Sequence, residues 1–508
     1  MNKLFARKPI AVLMEEMQGE NRLRRVLGPV MLTSLGIGAI IGTGIFVLTG
    51  IAAREHTGPA LILSFVAAGV ACVFAALCYA EFASMVPVAG SAYTYAYATL
   101  GELFAWIIGW DLILEYTVAS ATVSHGWSHY FLNFLGIFDI HFPPAFTFAP
   151  YDYDKTGHIV ASYYTVTDAA GQVLHGRYIM DLPALVIALL ITVILVIGIR
   201  ESAGFNTLMV ILKTVIVLMV IAVGAFYIKP ENWHPFAPFG YTGLSFFGHT
   251  VLGQVSPAGK PLGMLAGAAV VFFAYIGFDS VSTHAEEAKN PQRDVPIGII
   301  VSLLLCTALY IAVAAVLTGM VPYDQIDKDA PVAEAFKSYG LTKVQFLVAL
   351  GAIAGMTSVI LVLMLSQARV LLAMARDKLL PSSFFGDVHP RFRTPWKGTI
   401  VTGLMVGTMA ALIPLNILAE LVNIGTLLAF VIVCLAVLIM RLRHPEQPRP
   451  FKAPFFPAVP ILGVITCLIL MFSLPSENWL RLGVWLVVGF IVYFTYSRRH
   501  SALRQKNQ

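Results

Sequence analysis

Ser34-Leu35-Gly36-Ile37-Gly38-Ala39-Ile40-Ile41-Gly42-Thr43-Gly44-Ile45-Phe46 is the stretch that decides the fold. Apolar residues flank it from Val26 to Ala53, a run long enough for a helix to cross a bilayer. Yet Gly36, Gly38, Gly42 and Gly44 crowd its middle. Each glycine weakens a helix by about 1 kcal/mol and lets backbone come close to another group. A helix that loses its ladder in hydrocarbon must satisfy the freed N–H and C=O groups internally or on a ligand. Half-helix ends at mid-membrane depth are one way a charged small molecule is held there. The competing reading is close helix packing through small residues.

Composition agrees with a membrane-spanning chain. The 508 residues are 58% hydrophobic and only 12% charged, and the mean hydropathy is +0.79. Soluble domains carry about 25% charged residues. The net charge of +5 is not a nucleic-acid signal, because the basic residues cluster in short loops. Cys72, Cys78, Cys306, Cys434 and Cys467 sit in or beside apolar runs, lack metal-binding spacing, and read as small core residues. The first 25 residues mix acids and bases without a cleavage pattern, so no removable signal peptide is expected.

The sequence predicts an all-α integral membrane protein of twelve transmembrane helices. The spans fall near 27–53, 58–86, 99–136, 181–200, 203–227, 263–284, 296–320, 343–376, 396–414, 417–441, 457–474 and 478–497. An even count puts both termini on one side. Setting that side inward places most of the 33 Lys and Arg inside, as the positive-inside rule requires, so both termini are expected to be cytoplasmic. Two outer loops are long. In the first, about 137–180, alternating β-formers over Tyr163–Leu174 predict a hairpin around Asp168-Ala169-Ala170-Gly171. The second, about 228–262, is expected along the membrane surface. Pro445 to Pro460 is expected to be an irregular connector.

A second interrupted span answers the first. Val270-Val271-Phe272-Phe273-Ala274-Tyr275-Ile276-Gly277-Phe278-Asp279-Ser280 puts a glycine, an acid and a hydroxyl in an otherwise apolar helix. If spans 1–5 and 6–10 are inverted repeats, spans one and six are equivalent, and paired interruptions point to a transport site. Three further polar residues stand out. Glu115, mid-span, is costly as an unpaired anion and is therefore a candidate proton carrier, or else a hydrogen-bond node. Asp111 lies one turn away on the same face and ranks second. Lys213 is the basic residue furthest inside a span, about ten residues into the fifth. It is a candidate for proton exchange or for an ammonium lodged among unwound carbonyls, unless it snorkels to the interface. Asp279 reads equally as a gate acid and as a helix-end hydrogen-bond partner.

Other readings fail on the residues. His125 and His129 could share a helix face, but no acid or Cys completes a metal set here, and no metal is expected. Gly36-x-Gly38 follows no strand, so it is not a dinucleotide loop, and no P-loop is present. The spans hold no Ser–His–Asp group, metal quartet or His-Glu-x-x-His, which argues against an enzyme. Scattered single polar residues argue against a channel.

The motifs together resemble the amino acid–polyamine–organocation superfamily, and within it the bacterial branch of the cationic amino acid transporter family. They are Gly36-x-Gly38-x-x-x-Gly42-Thr43-Gly44-Ile45-Phe46; Tyr79-Ala80-Glu81 through Gly90-Ser91-Ala92-Tyr93-Thr94-Tyr95; Phe273-Ala274-Tyr275-Ile276-Gly277-Phe278-Asp279; Glu286-Glu287-Ala288-Lys289-Asn290-Pro291-Gln292-Arg293-Asp294-Val295-Pro296; and Arg369-Val370-Leu371-Leu372-Ala373-Met374-Ala375-Arg376-Asp377. The loop at 137–180 looks longer than the family pattern. The resemblance implies a five-plus-five inverted repeat with discontinuous helices 1 and 6 and two extra spans. It divides the chain into a cytoplasmic segment 1–26, a transport core 27–441 with repeats 27–227 and 263–441, helices 11–12 at 442–497, and a tail at 498–508.

The same resemblance implies site residues. A substrate carboxylate would meet the amides near Gly42, Thr43 and Gly44, at the positive end of a half-helix. The α-ammonium would meet carbonyls near Ile40 and at Phe273, Ala274 and Ile276. Phe273 would close the pocket, with Asp279 as a second gate residue. Lys213 would stand where relatives hold sodium, favouring proton coupling, and Glu115 matches an acid of the bacterial branch. Met356 is expected at the side-chain end. A pocket without a nearby acid offers a lysine or arginine side chain no partner, so small neutral amino acids compete with cationic ones. The expectation is a proton-coupled amino acid symporter of the cell membrane without cofactor, working by alternating access; exchange and a non-transporting receptor are the rivals. Its partners would be an amino acid, a proton and membrane lipid. A small accessory membrane subunit is left open.

Overall fold

The computed structural model describes residues 6–9, 25, 27–86, 88, 90–153, 159–167, 173–197, 202–246, 249–257, 259, 261–392 and 394–505. Helices dominate them. Helix α1 (Pro29–Ile40) begins on a proline, whose missing N–H costs nothing in a first turn. It stops where Ile41 is extended, at φ −75° and ψ 102°. Helical turns resume as a π-turn at Gly44–Leu48 and run to Thr57. Gly58, at φ +61°, then reverses the chain into α2 (Leu61–Met85). The next helices are α3 (Ser91–Thr99), α4 (Glu102–Ile137), α5 (Leu182–Ile197) and α6 (Ser202–Gly224).

The second half starts with α7 (Met264–Val271), a 3₁₀ turn at Phe272–Tyr275, and the short α8 (Ser280–Thr283). It continues through α9 (Pro291–Met320), α10 (Pro331–Ser338), α11 (Thr342–Arg376), α12 (Trp396–Leu412), α13 (Leu415–Arg443), α14 (Ala458–Phe472) and α15 (Ser476–Val492). Among the described residues, eight helical stretches are long and apolar enough to cross a membrane, and α1, α5 and α14 are shorter apolar helices.

The surface shows what surrounds the bundle. Val186, Leu190, Val193 and Ile197 on α5, and Leu208, Ile211, Val215 and Leu218 on α6, are exposed at helical spacing. α15 does the same with Val484, Val487 and Ile491. Such apolar stripes are stable facing hydrocarbon and unfavourable facing water. Polar side chains turn inward instead: Thr43, Glu115, Lys213, Asp279 and Gln367 are all buried. At the bundle's centre α11 lies along α4, while α9 packs on α1 and α2.

Both described chain ends meet at one end of the bundle. Lys8 Nζ lies 2.7 Å from Asp377 Oδ1, and the Ala502 amide donates to the Asp377 carbonyl. Three carboxylates at this end hold separate elements together. Tyr93 donates to Asp377 Oδ2 at 2.6 Å, Arg369 to Glu287 at 2.7 Å, and Arg441 Nε to Glu81 Oε1 at 2.8 Å. The motif residues around Glu81, Tyr93, Glu287 and Asp377 are thus the ones that join elements here.

The opposite end carries small hairpins. Tyr163–Thr167 pairs antiparallel with Val173–Arg177, so the expected hairpin strands are present, while its turn, 168–172, lies outside the described residues. A further hairpin joins Tyr151–Tyr153 to Ile159–Ala161. Two more lie in the second long loop, at Leu244–Phe246 with His249–Leu252 and at Gln254–Val255 with Pro261–Leu262. All five cysteines are buried and free.

Candidate functional site

The two interrupted stretches meet. A Cβ on Gly44 would collide with the backbone of Ala274, so only glycine lets these segments touch. Gly277, at φ +118°, carries the second stretch through a left-handed turn, and a Cβ there would lie 2.8 Å from the Ala39 carbonyl oxygen. Gly42 meets Val359 in the same way, at 2.8 Å. The glycines legible in the sequence therefore act through close approach as well as through backbone freedom.

At the first interruption the chain turns on Gly42, whose carbonyl accepts the amides of Ile45 and Phe46 at 3.2 and 3.3 Å. Gly42, Thr43 and Gly44 head the segment that follows, where backbone amides lack acceptors within their own helix. The carbonyls freed on the other side are taken up. Lys213 Nζ, fully buried on α6, donates to Gly38 O at 2.7 Å and Ile41 O at 2.9 Å. It does not snorkel; its ammonium sits among unwound carbonyls. Ser358 on α11 joins this group by donating to Asn206 Oδ1 at 2.6 Å.

The second interruption is handled with the opposite charge. Ile276, at φ −58° and ψ 133°, ends the helical turns. Asp279 Oδ1 accepts the Gly277 amide at 3.3 Å, and its Oδ2 accepts the Tyr116 hydroxyl at 2.7 Å. Asn423 on α13 donates to Ala269 O at 2.8 Å. Tyr310 on α9 links the two interruptions, its hydroxyl 2.7 Å from Ile40 O and 2.8 Å from Ala274 O. One O–H proton serves both carbonyls, so each is held by a shared bond.

Between the interruptions lies a small void of about 10 Å³, room for one water. Ile40, Gly42, Thr43, Gly44, Phe273 and Ile276 line it, as does Ala39. The far wall is Ala119 and Val123 of α4 with Val359 and Leu363 of α11, which sequence reasoning missed. Those four look like any core residue in the sequence, and only their position marks them. Met356 is not part of this wall; its sulfur accepts the Thr43 hydroxyl at 3.3 Å. Ala274 packs behind the void against Gly44. Among the described residues, no carboxylate lines the void.

Glu115 and Asp111 are also buried on α4, and among the described residues none of their carboxylate oxygens has a hydrogen-bond partner. Asp111 rests against Gly425 of α13. Gln367 bonds Thr117 at 2.6 Å nearby. The expectation that no acid completes the His125–His129 pair needs correction. Asp181, 52 residues beyond His129 in sequence, folds beside them, and one ligand atom of each of the three lies within 4.8 Å of the others. The spacing rule was applied within one span, while the third group comes from the start of the next helix.

Comparison with known proteins agrees with this architecture. A family model described as amino acid permease matches residues 27–493. The methylthioribose transporter of Bacillus subtilis (strain 168) is 46% identical over 99% of this chain and 100% of its own length. The branched-chain amino acid permease BcaP of the same organism is 48% identical over 99% of both chains. Cationic amino acid transporter 2, vacuolar, of Arabidopsis thaliana is 40% identical over 85% of this chain and 62% of its own. These relatives are named as transporters and permeases, not enzymes. The chain belongs to the amino acid permease family.

Proposed function

We propose that this permease takes up neutral, apolar amino acids across the cell membrane by proton-coupled symport with alternating access. One observation carries the reading: at each interruption a buried charged side chain of the protein holds freed backbone groups of one sign. At the first, Lys213 occupies carbonyls, which leaves the amides of Gly42, Thr43 and Gly44 for a substrate carboxylate. At the second, Asp279 occupies an amide, and the carbonyls of Phe273, Ala274 and Ile276, with Ile40 opposite, are the acceptors for an α-ammonium. Phe273 O already accepts the Ile276 amide and Tyr310 already donates to Ile40 O and Ala274 O, so the ammonium meets their second lone pairs. The pair is complementary to a zwitterionic head group. Phe273 and Asp279 act as gates.

The apolar wall of Ala119, Val123, Val359 and Leu363 supports a neutral side chain. A lysine or arginine side chain would bury a charge there unpaired. A full-length relative named for branched-chain amino acids points the same way. The void is too small for an amino acid, so Phe273, Ile276, Val359 or Leu363 must move as substrate enters, with Met356 behind Thr43 setting how far the pocket can widen. Lys213 or Glu115 changes protonation as the inner gate moves.

The reading includes twelve spans in a five-plus-five inverted repeat, broken at helices 1 and 6. Its core spans 27–441, with helices 11–12 at 442–497. Residues 1–26 and 498–508 are then cytoplasmic, and the three carboxylate junctions beside Asp377, Glu287 and Glu81 form the inner gate. Purified protein in liposomes tests the function with radiolabelled leucine, alanine, arginine and methylthioribose. Leucine accumulation driven by an inside-alkaline gradient, and lost with a protonophore, is expected. Uptake only against preloaded amino acid would make the protein an exchanger, and binding without uptake a receptor. Preference for methylthioribose would favour the activity named for the other full-length bacterial relative.

A further inference from the structure

A cavity of about 450 Å³ opens at the end of the bundle that carries the hairpins, and both His125 and His129 line it. We infer that His125, His129 and Asp181 form a binding site for a divalent transition-metal ion of the Zn²⁺ type at this vestibule. This site is separate from the proposed substrate pocket and from whichever molecule the permease carries.

His125 and Asp181 each have one polar atom committed to the protein and one open, and both ring nitrogens of His129 are open. His125 Nε2 lies 2.8 Å from the Ile413 carbonyl, which only an N–H can satisfy, so in the neutral ring Nδ1 keeps its lone pair. That lone pair points at Asp181 Oδ2, 2.8 Å away. Neither atom makes a hydrogen bond, although both are buried. Two acceptors this close need a cation between or beside them. The other oxygen of Asp181 is committed: Oδ1 accepts Ser128 Oγ–H at 2.6 Å and the Ala184 amide at 3.1 Å. His129 has a side chain only 7% exposed, and its Nδ1 lies 3.4 Å from Asp329 Oδ1. Neither of its ring nitrogens is hydrogen-bonded.

Two imidazoles and a carboxylate make a familiar zinc donor set, with a fourth position left to water. Metal-bound histidines usually offer their second nitrogen to a carbonyl or carboxylate. Ile413 O and Asp329 stand in those positions here. A tetrahedral ion holds such donors about 3.4 Å apart, so His125 Nδ1 and Asp181 Oδ2 must open from 2.8 Å while the wider pairs close from as much as 4.8 Å. The ion would clamp α4 to the start of α5 beside the loop that carries Asp329. It would thereby stiffen the vestibule wall and slow transport.

The competing occupant is a proton, since doubly protonated His125 could donate to both Ile413 and Asp181. Isothermal calorimetry on the purified protein with ZnCl₂, with MgCl₂ as control, separates the two. Micromolar Zn²⁺ binding is expected, without Mg²⁺ binding, and weakened at least tenfold in His129→Gln. Amino acid uptake in His129→Gln reports that the fold is intact, and Zn²⁺ should inhibit that uptake less than in the parent. If His129→Gln fails to fold, Asp329→Asn should still weaken Zn²⁺ binding by a smaller factor. No Zn²⁺ binding to the parent, or binding unchanged in the folded variant, would overturn the site and leave the proton.

Discussion

The two interruptions solve one physical problem in opposite ways. At Ile40–Gly44 an ammonium, Lys213, holds freed carbonyls. At Phe272–Ser280 a carboxylate, Asp279, holds a freed amide. A single lysine or a single acid read alone suggests a charge site or a structural defect. Together they fit the proposed site, in which unwinding a helix in hydrocarbon frees groups of both signs and the side chain supplied sets the sign offered to substrate. The Tyr310 hydroxyl, shared between Ile40 and Ala274, keeps the two interruptions in register.

The largest effect is expected from Lys213→Ala. Leaving two buried carbonyls unpaired costs about 1–3 kcal/mol each, and proton-driven accumulation should be abolished. Full accumulation by this variant would end the role given to Lys213. Gly44→Val comes next, because its side chain must displace Ala274. Overpacking of this kind costs about 1–3 kcal/mol, read as a lower melting temperature and lost uptake. Gly28→Ala is its control, since nothing lies within 4 Å of a Cβ there; equal losses in both would break the close-approach argument.

Asp279 sharpens the comparison further. Asp279→Ala should cost about 1.5–3 kcal/mol, the range for hydrogen bonds to a charged group, whereas Asp279→Asn keeps an oxygen for the Gly277 amide and should lose less. Equal defects in a melting series would show that charge rather than capping is what the second interruption needs. The smallest effect belongs to Tyr310→Phe, about 0.5–1.5 kcal/mol for one neutral hydrogen bond, seen as weaker substrate affinity in a binding assay.

Much of this was legible because glycine and charge are rare in hydrocarbon. Gly42, Gly44 and Gly277 announced the interruptions, and Lys213 announced itself as the cation furthest inside a span. Tyr310 and Asn423 gave no signal. A lone tyrosine or asparagine in a long apolar helix reads as packing, and Tyr310's partner Ile40 is 270 residues away. The apolar wall was illegible for a different reason: Val359 facing a void and a valine facing another helix have the same sequence signature. Asp181 was missed because it belongs to the next helix. The hairpin strands of Tyr163–Arg177 were readable from alternation, since period-two patterning survives in an exposed loop.

The central claim is that one interruption binds the carboxylate of the substrate and the other its ammonium. Binding of leucine, leucinol and 4-methylpentanoate to the purified permease, measured in one titration series, tests it most directly. Leucine should bind, and each analogue, lacking one charge of the head group, should bind at least about tenfold more weakly, a loss of roughly 1.4 kcal/mol or more. Either analogue binding as tightly as leucine would contradict the account.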